Sequence, residues 1–183
     1  QKWLGFVELH SPNGLLEKWP DTDYRGWYLG DWATPKGVDQ TLPESVDLVN
    51  NCFVAECLDN MEKIAGVLGR VNEEGYYRQK RDSLRSLIHA TFYHPDQNTY
   101  GSASQIDLAY PLLAGVVPDS LKEKVTESLR KEIEVSSNGH FATGLVGIPV
   151  LTEWAVENRA SSLFASMLRK EDYPGYLYMI ANG

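Results

Sequence analysis

From residue 43 onward the chain is patterned at the helical period, and before it no such pattern holds. Val49, Phe53, Cys57, Met61, Ala65 and Leu68 recur at steps of four and three. That spacing lays one apolar stripe along a helix, and Gly69 follows where a C-terminal cap belongs. A second stripe, Leu84, Leu87, Ile88 and Phe92, predicts a helix from Glu74 to Tyr93. It stops before His94-Pro95 because the residue preceding proline disfavours helical geometry. Gln105 to Val116 is a shorter apolar segment whose Pro111 must sit in the first turns or kink the helix. Ser120-Leu121-Lys122-Glu123 matches a capping box, and Val125, Leu129 and Ile133 follow at four-residue steps. Leu145 to Glu157 and Ser161 to Leu168 form a last pair joined by Asn158-Arg159-Ala160, a link short enough to make its neighbours antiparallel.

These six helices read as three hairpins over residues 43–183, preceded by a loop-rich segment over 1–42. Turns punctuate that segment at Pro12-Asn13-Gly14, Trp19-Pro20-Asp21, Gly26, Gly30 and Pro35-Lys36-Gly37. Short strands near Phe6-Val7-Glu8 or Tyr100 are the β candidates. The expected class is all-α, with residues 1–183 forming a single region.

Composition narrows this little but excludes much. With 43 % apolar and 23 % charged residues in 183, the chain has the make-up of one globular domain and of no disordered or collagen-like class. No apolar run approaches the ~20 residues of a spanning helix, which argues against a membrane protein. The formal charge of −8 repels phosphate backbones, so nucleic acid is not an expected partner. Cys52 and Cys57, five residues apart on one helix, point to different faces and read as unbridged core residues, leaving the redox compartment open. The chain starts at Gln1 without a signal-like segment and reads as a piece of a longer protein.

Aromatic residues gather at the N-terminal side. Trp3, Trp19, Trp27 and Trp32 are four of the five tryptophans, and Tyr24 and Tyr28 interleave with Asp21, Asp23 and Asp31. Rings beside carboxylates on loops suit a neutral polar ligand: ring faces take C–H patches and carboxylates accept hydroxyl hydrogen bonds. A carbohydrate fits that chemistry. The other reading is that these rings roof a helical core. His10, His89, His94 and His140 have no metal-ligand spacing and there is no Cys-x-x-Cys pair, so no metal or other cofactor is expected. Arg78, Arg81 and Arg85 share a helix face, read as solvated. His140 lies between Gly139 and Thr143-Gly144 just ahead of a helix, where freed backbone N–H groups could meet a ligand.

Four segments together carry a family resemblance. Gly14-Leu-Leu-Glu17, Tyr28-Leu-Gly-Asp-Trp32, Gly139-His-Phe-Ala-Thr-Gly-Leu-Val-Gly147 and Tyr173-Pro-Gly-Tyr-Leu-Tyr-Met-Ile180-Ala-Asn-Gly183 stand in this order along the chain. In order and spacing they resemble the catalytic domain of bacterial alpha-L-rhamnosidases, a family of six-hairpin glycosidases. The resemblance implies an (α/α)6 toroid, of which three hairpins are part, and hydrolysis of terminal alpha-linked rhamnose with inversion. Inversion needs an acid and a base roughly 6.5–9.5 Å apart. The family's acid motif and its base motif have no counterpart here, so both carboxylates are expected outside this chain and the chain alone is expected to be inactive. Asp21-Thr-Asp-Tyr-Arg-Gly-Trp-Tyr-Leu-Gly-Asp31 has a superficial likeness to the acid motif. It lacks the Glu-Arg pair and puts the other motifs out of step.

Carried over residue by residue, Asp31 and Trp32 match the family's sugar-facing Gly-Asp-Trp. Trp27 and His140 are expected near the same rim. Asp31 could instead cap neighbouring structure, with Trp32 packing only. A part-toroid predicts exposed apolar helix faces and association into homo-oligomers, and a bacterial parent of this type favours a periplasmic or secreted location. The alternative function is a non-catalytic helical module that binds carbohydrate or protein.

Overall fold

The apolar stripes become eight α-helices among the residues that the computed structural model describes, 2–18, 28–35 and 42–182. Trp19, Asp21, Asp23, Tyr24 and Trp27 lie outside these residues, so the expectation for Trp27 and the competing register at Asp23 fall outside them as well.

Helix α1 (Lys2–Leu9) replaces loop or strand at the start of the chain. Its apolar positions anchor it: Val7 is buried, and the Trp3 ring meets Phe53 edge-on at 5.9 Å. Gly5 in its middle weakens the local signal. Helix α2 (Pro43–Val67) and α3 (Val71–Phe92) form the first hairpin. Gly69 ends α2 in left-handed geometry, with Arg70 N–H donating to the Ala65 carbonyl (2.9 Å) and Gly69 N–H to Gly66 (3.0 Å), the paired bonds of a Schellman cap. The predicted stripe on α2 is rotated, however. Phe53 is half exposed, while Leu48, Cys52 and Ala55 are fully buried and Asn51 with them. The first half of α2 is covered on several sides, by α3, by α4 and by residue 16 of the N-terminal segment, so its buried face is wider than one stripe.

Arginines 78, 81 and 85 are paired rather than simply solvated. Arg78 binds Glu62 and Glu74, Arg81 binds Asp59 and Glu62, and Arg85 donates to the Ala114 carbonyl at 2.6 Å. They stitch α3 to α2 and to the end of α4. Both cysteines are free, and burial pushes both thiols up, which suppresses thiolate chemistry.

A two-residue antiparallel ladder, β1 (Tyr93–His94) with β2 (Thr99–Tyr100), turns the chain toward α4 (Gln105–Leu113). Every residue from Gln105 to Pro111 is buried, because α4 packs on both α2 and α6 and forms the centre of the fold. Pro111 is seventh in α4, past the first turn, and the helix stops at Leu113 instead of Val116. Helix α5 (Lys122–Lys131) is entered without the expected capping box. After Pro118 the chain makes a 3-10 turn over Asp119–Leu121, which puts Ser120 inside the turn and not at the cap position. Val125, Leu129 and Ile133 are buried as their spacing requires. Helix α5 gives way to a wide turn over Glu132–Ser136. The third hairpin is α6 (Gly147–Glu157) with α7 (Ser161–Leu168), and α8 (Tyr176–Asn182) follows. The Pro174-Gly175 turn had concealed α8, which is too short to carry a stripe. Among the described residues the chain is therefore all-α, three hairpins flanked by one helix on each side.

Candidate functional site

One end of the fold gathers the N-termini of α2, α4 and α6, and the motif segments meet there. Each helix start carries unpaired N–H groups and partial positive charge. At α6 that charge is met by Asp31. Its buried carboxylate accepts from Thr143 Oγ1 (2.5 Å), Gly144 N–H (2.6 Å), Val146 N–H (3.2 Å) and Gly147 N–H (2.8 Å). A carboxylate offers about four lone-pair sites, and these contacts occupy that capacity inside the protein. Asp31 is thus a cap, but for a helix more than a hundred residues away, and it delays the start of α6 from Leu145 to Gly147.

The backbone on either side is equally close. Leu145 N–H donates to the Trp32 carbonyl at 2.8 Å. A Cβ on Gly144 would overlap that carbonyl, and one on Gly147 would overlap Thr143 Oγ1 and lie 2.8 Å from Asp31 Oδ2. The two glycines of the Thr-Gly-Leu-Val-Gly run are spacing requirements of this junction. Trp32 itself is 41 % exposed, the outward member of the pair.

His140 is buried, with Nε2 3.1 Å from Asp172 Oδ2 and Nδ1 enclosed without a partner. Its backbone is held by a residue the sequence reading passed over. Gln105, at the start of α4, donates from Nε2 to the His140 carbonyl (2.9 Å) and accepts from Ala142 N–H at Oε1 (3.0 Å). Phe141 meets Tyr176 of α8 at 5.6 Å, so the third and fourth motif segments touch. The first segment joins through Asn51, whose side chain bonds both backbone groups of Leu16, and through the Tyr28 hydroxyl, 2.9 Å from the Leu16 carbonyl.

Two cavities flank the stretch 31–35 and share Thr34. One, of 510 Å³, is apolar, walled by Phe141, Ile148, Pro149, Tyr173, Tyr176 and Met179. The other, of 410 Å³, is polar, with Asp31, Ser45, Ser102, Ser104, Glu132 and Ser136 in its wall. Beneath the polar cavity lies Asp107, fully buried in the first turn of α4. Ser45 Oγ donates to its Oδ1 (2.6 Å), and Ser102 donates to its Oδ2 from N–H (2.8 Å) and Oγ (2.6 Å). Burial pushes this carboxyl above the usual carboxylate range, opposed by the bonds from Ser102 and Ser45. A signal for Gln105 and Asp107 was present: two polar residues opening an otherwise apolar helix must be paired if that helix is enclosed.

Among the described residues no group of three or more His, Cys, Asp or Glu side chains could hold a metal ion, and no helix is long and apolar enough to cross a membrane.

The sequence profile of the bacterial alpha-L-rhamnosidase 6 hairpin glycosidase domain matches residues 1–183, the whole chain. The chain belongs to this family. An alpha-L-rhamnosidase of Alteromonas sp. (strain LOR) is 27 % identical over 190 residues, covering 100 % of this chain and 20 % of the relative. One from Formosa agariphila is 26 % identical over 157 residues, covering 85 % of this chain and 17 % of the relative. Among solved structures, the alpha-L-rhamnosidase from Dictyoglumus thermophilum superposes with a TM-score of 0.86 at 22 % identity, over 99 % of this chain and 20 % of that one. The Streptomyces avermitilis alpha-L-rhamnosidase complexed with L-rhamnose gives 0.80 at 22 % identity, over 98 % and 16 %. The chain spans about a fifth of the length of these relatives. Its fold is part of the rhamnosidase toroid.

Proposed function

We propose that this chain forms part of the sugar pocket of an alpha-L-rhamnosidase-type glycoside hydrolase, which releases terminal alpha-linked rhamnose with inversion. The supporting observation is the convergence of its motif segments at the end where three helix N-termini gather, with the Trp32 ring exposed beside them. In this reading Trp32 packs on the sugar ring. Asp31 and His140 act by holding the wall, Asp31 through the α6 cap and His140 through Asp172. Among the described residues the two buried carboxylates, Asp31 and Asp107, are engaged by internal donors, which supports a reading in which the acid and base of an inverting reaction come from other segments of the parent protein. The chain alone is then inactive, and turnover of an aryl rhamnoside by the purified 183 residues would overturn that part of the assignment.

Titrating L-rhamnose against tryptophan fluorescence tests the pocket. A saturable change is expected, weakened about tenfold in Trp32→Ala, in keeping with ~0.5–1.5 kcal/mol for a ring-face contact beyond its buried area. A flat titration would favour the non-catalytic protein-binding module instead.

The same reading carries a consequence for association. Trp3, Phe6 and Leu9 on α1 and Leu177, Met179 and Ile180 on α8 are exposed at the two flanks of the three hairpins, and apolar surfaces of this kind drive self-association. Sedimentation at tens of micromolar is expected to give dimers or larger species, and a monodisperse monomer would count against it.

A further inference from the structure

We infer that the cavity between α1 and the α2–α3 hairpin is a binding site for a small, neutral, mainly apolar molecule carrying one hydroxyl group, and that the Tyr77 hydroxyl recognises it. The cavity shares no wall residue with the two that flank residues 31–35, so it is independent of the sugar-pocket reading.

The sequence leaves this space open. Helix α1 is pinned to the hairpin by Trp3 on Phe53 and by Glu8, whose Oε1 accepts from Tyr76 O–H (2.8 Å) and from Lys80 Nζ (3.0 Å). Gly5 between them brings no side chain, and a Cβ there would meet nothing within 4 Å. Beyond α1, Gly14 at φ +87° lets the chain approach Leu87, whose Cδ2 would stand 2.8 Å from an added Cβ. What remains is 650 Å³, within the range of about 300–1,000 Å³ typical of small-ligand sites. Leu4, Val7, Val54, Leu58, Leu84 and Leu87 form its apolar wall, where water, which needs about two to four polar partners, gains little. Most polar groups of the wall are engaged: the Ser11 hydroxyl donates to the Val7 carbonyl at 2.8 Å, Tyr76 and Lys80 go to Glu8, and Ser83 stands on the exposed rim. Tyr77 differs. It is 4 % exposed, yet its hydroxyl has no hydrogen-bond partner among the described residues and is not sealed in the core. Its ring lies in the cavity wall, so a ligand hydroxyl in the cavity can satisfy it as donor or acceptor. The charges of Glu8 and Lys80 offset each other at the rim. An acid would meet Glu8 and an amine Lys80, and either would lose hydration against the apolar wall. The Tyr76 and Tyr77 rings, edge-on at 5.4 Å, add aromatic surface suited to a flat ring.

Isothermal titration of 2-naphthol, naphthalene and 2-naphthoate into the full chain, with a circular-dichroism melt of each variant, tests the site. The expected result is saturable binding of 2-naphthol, weaker binding of naphthalene and none of 2-naphthoate. Tyr77→Phe keeps the ring and removes only the hydroxyl. It is expected to weaken 2-naphthol roughly three- to tenfold, the loss of one neutral hydrogen bond, and to leave naphthalene unchanged, a difference that a merely structural role for Tyr77 would not produce. Ser83→Trp places a large ring at the exposed rim and is expected to abolish binding of both. Should Ser83→Trp melt early, Tyr77→Phe decides alone. Absence of saturable 2-naphthol binding overturns the site, as does 2-naphthol binding that Tyr77→Phe leaves unchanged or weakens no more than that of naphthalene. Tighter binding of 2-naphthoate than of 2-naphthol overturns the assignment of a neutral ligand.

Discussion

Asp31→Ala is expected to lower the stability of this chain by about 3–5 kcal/mol, the range seen when a buried charge loses its partners or leaves them behind. The carboxylate is the acceptor for one hydroxyl and three backbone N–H groups at the entrance to α6. Without it those donors stay enclosed, at ~1–3 kcal/mol for each buried unsatisfied group. The sum is moderated because the adjoining polar cavity admits water to part of the junction. For a chain of this size each kcal/mol corresponds to about 2–4 °C, so a melting temperature lower by roughly ten degrees is expected. Asp31→Asn, which retains one acceptor oxygen and adds an N–H toward donors, should fall between the two. Urea unfolding followed by circular dichroism measures it. A loss under about 1 kcal/mol, the ordinary size of a single exposed cap, would mean that Asp31 does not organise the α6 entrance.

This expectation changes what the Gly-Asp-Trp motif means. The resemblance picked out Asp31 and Trp32 as neighbours facing a sugar, and the structure separates them: the carboxylate turns inward to a turn more than a hundred residues away, while the indole stays exposed. Local sequence could name both residues but not divide their labour, because the partners of Asp31 are fixed only by how α6 packs against α4. The same limit explains Gln105 and Asp107. Each lies in an apolar segment that was read for its length, and each proves to be a tertiary connector, to His140 and Ala142 in one case and to Ser45 and Ser102 in the other.

What was legible was the periodic part. The three hairpins, the end of α3 ahead of His94-Pro95, and the span Ser161–Leu168 follow from spacing and proline sterics, which act within a few residues. The misses are of two physical kinds. Short helices such as α1 and α8 have too few turns to build a stripe and are held by contacts at a distance, Trp3 on Phe53 and Phe141 on Tyr176. The rotated face of α2 and the unformed box at Ser120 are cases in which neighbours or a preceding Pro118 overrode a local pattern.

Gly147→Ala should be nearly as damaging as loss of Asp31, for a steric reason that a second substitution can isolate. The added methyl would overlap Thr143 Oγ1 and crowd Asp31 Oδ2 at 2.8 Å. Overpacking of an enclosed site costs typically ~1–3 kcal/mol. Here the obstructing atom cannot swing aside freely, because Thr143 Oγ1 is itself bonded to Asp31 at 2.5 Å. Relief of the overlap therefore breaks a charge-assisted bond worth about 1.5–3 kcal/mol, and a total near ~3 kcal/mol is expected. Thr143→Ala removes the obstructing oxygen and by itself forfeits only that bond. In the double variant the severest overlap is gone, although the Cβ at position 143 and Asp31 Oδ2 each remain 2.8 Å from the added methyl, so the two costs should fall short of additive by about 1–2 kcal/mol, within the range measured for residues in contact. Denaturant unfolding of the two single variants and the double gives that coupling directly. Strict additivity would mean that the methyl at position 147 is accommodated without displacing Thr143, and that the Asp31 junction is looser than its distances imply.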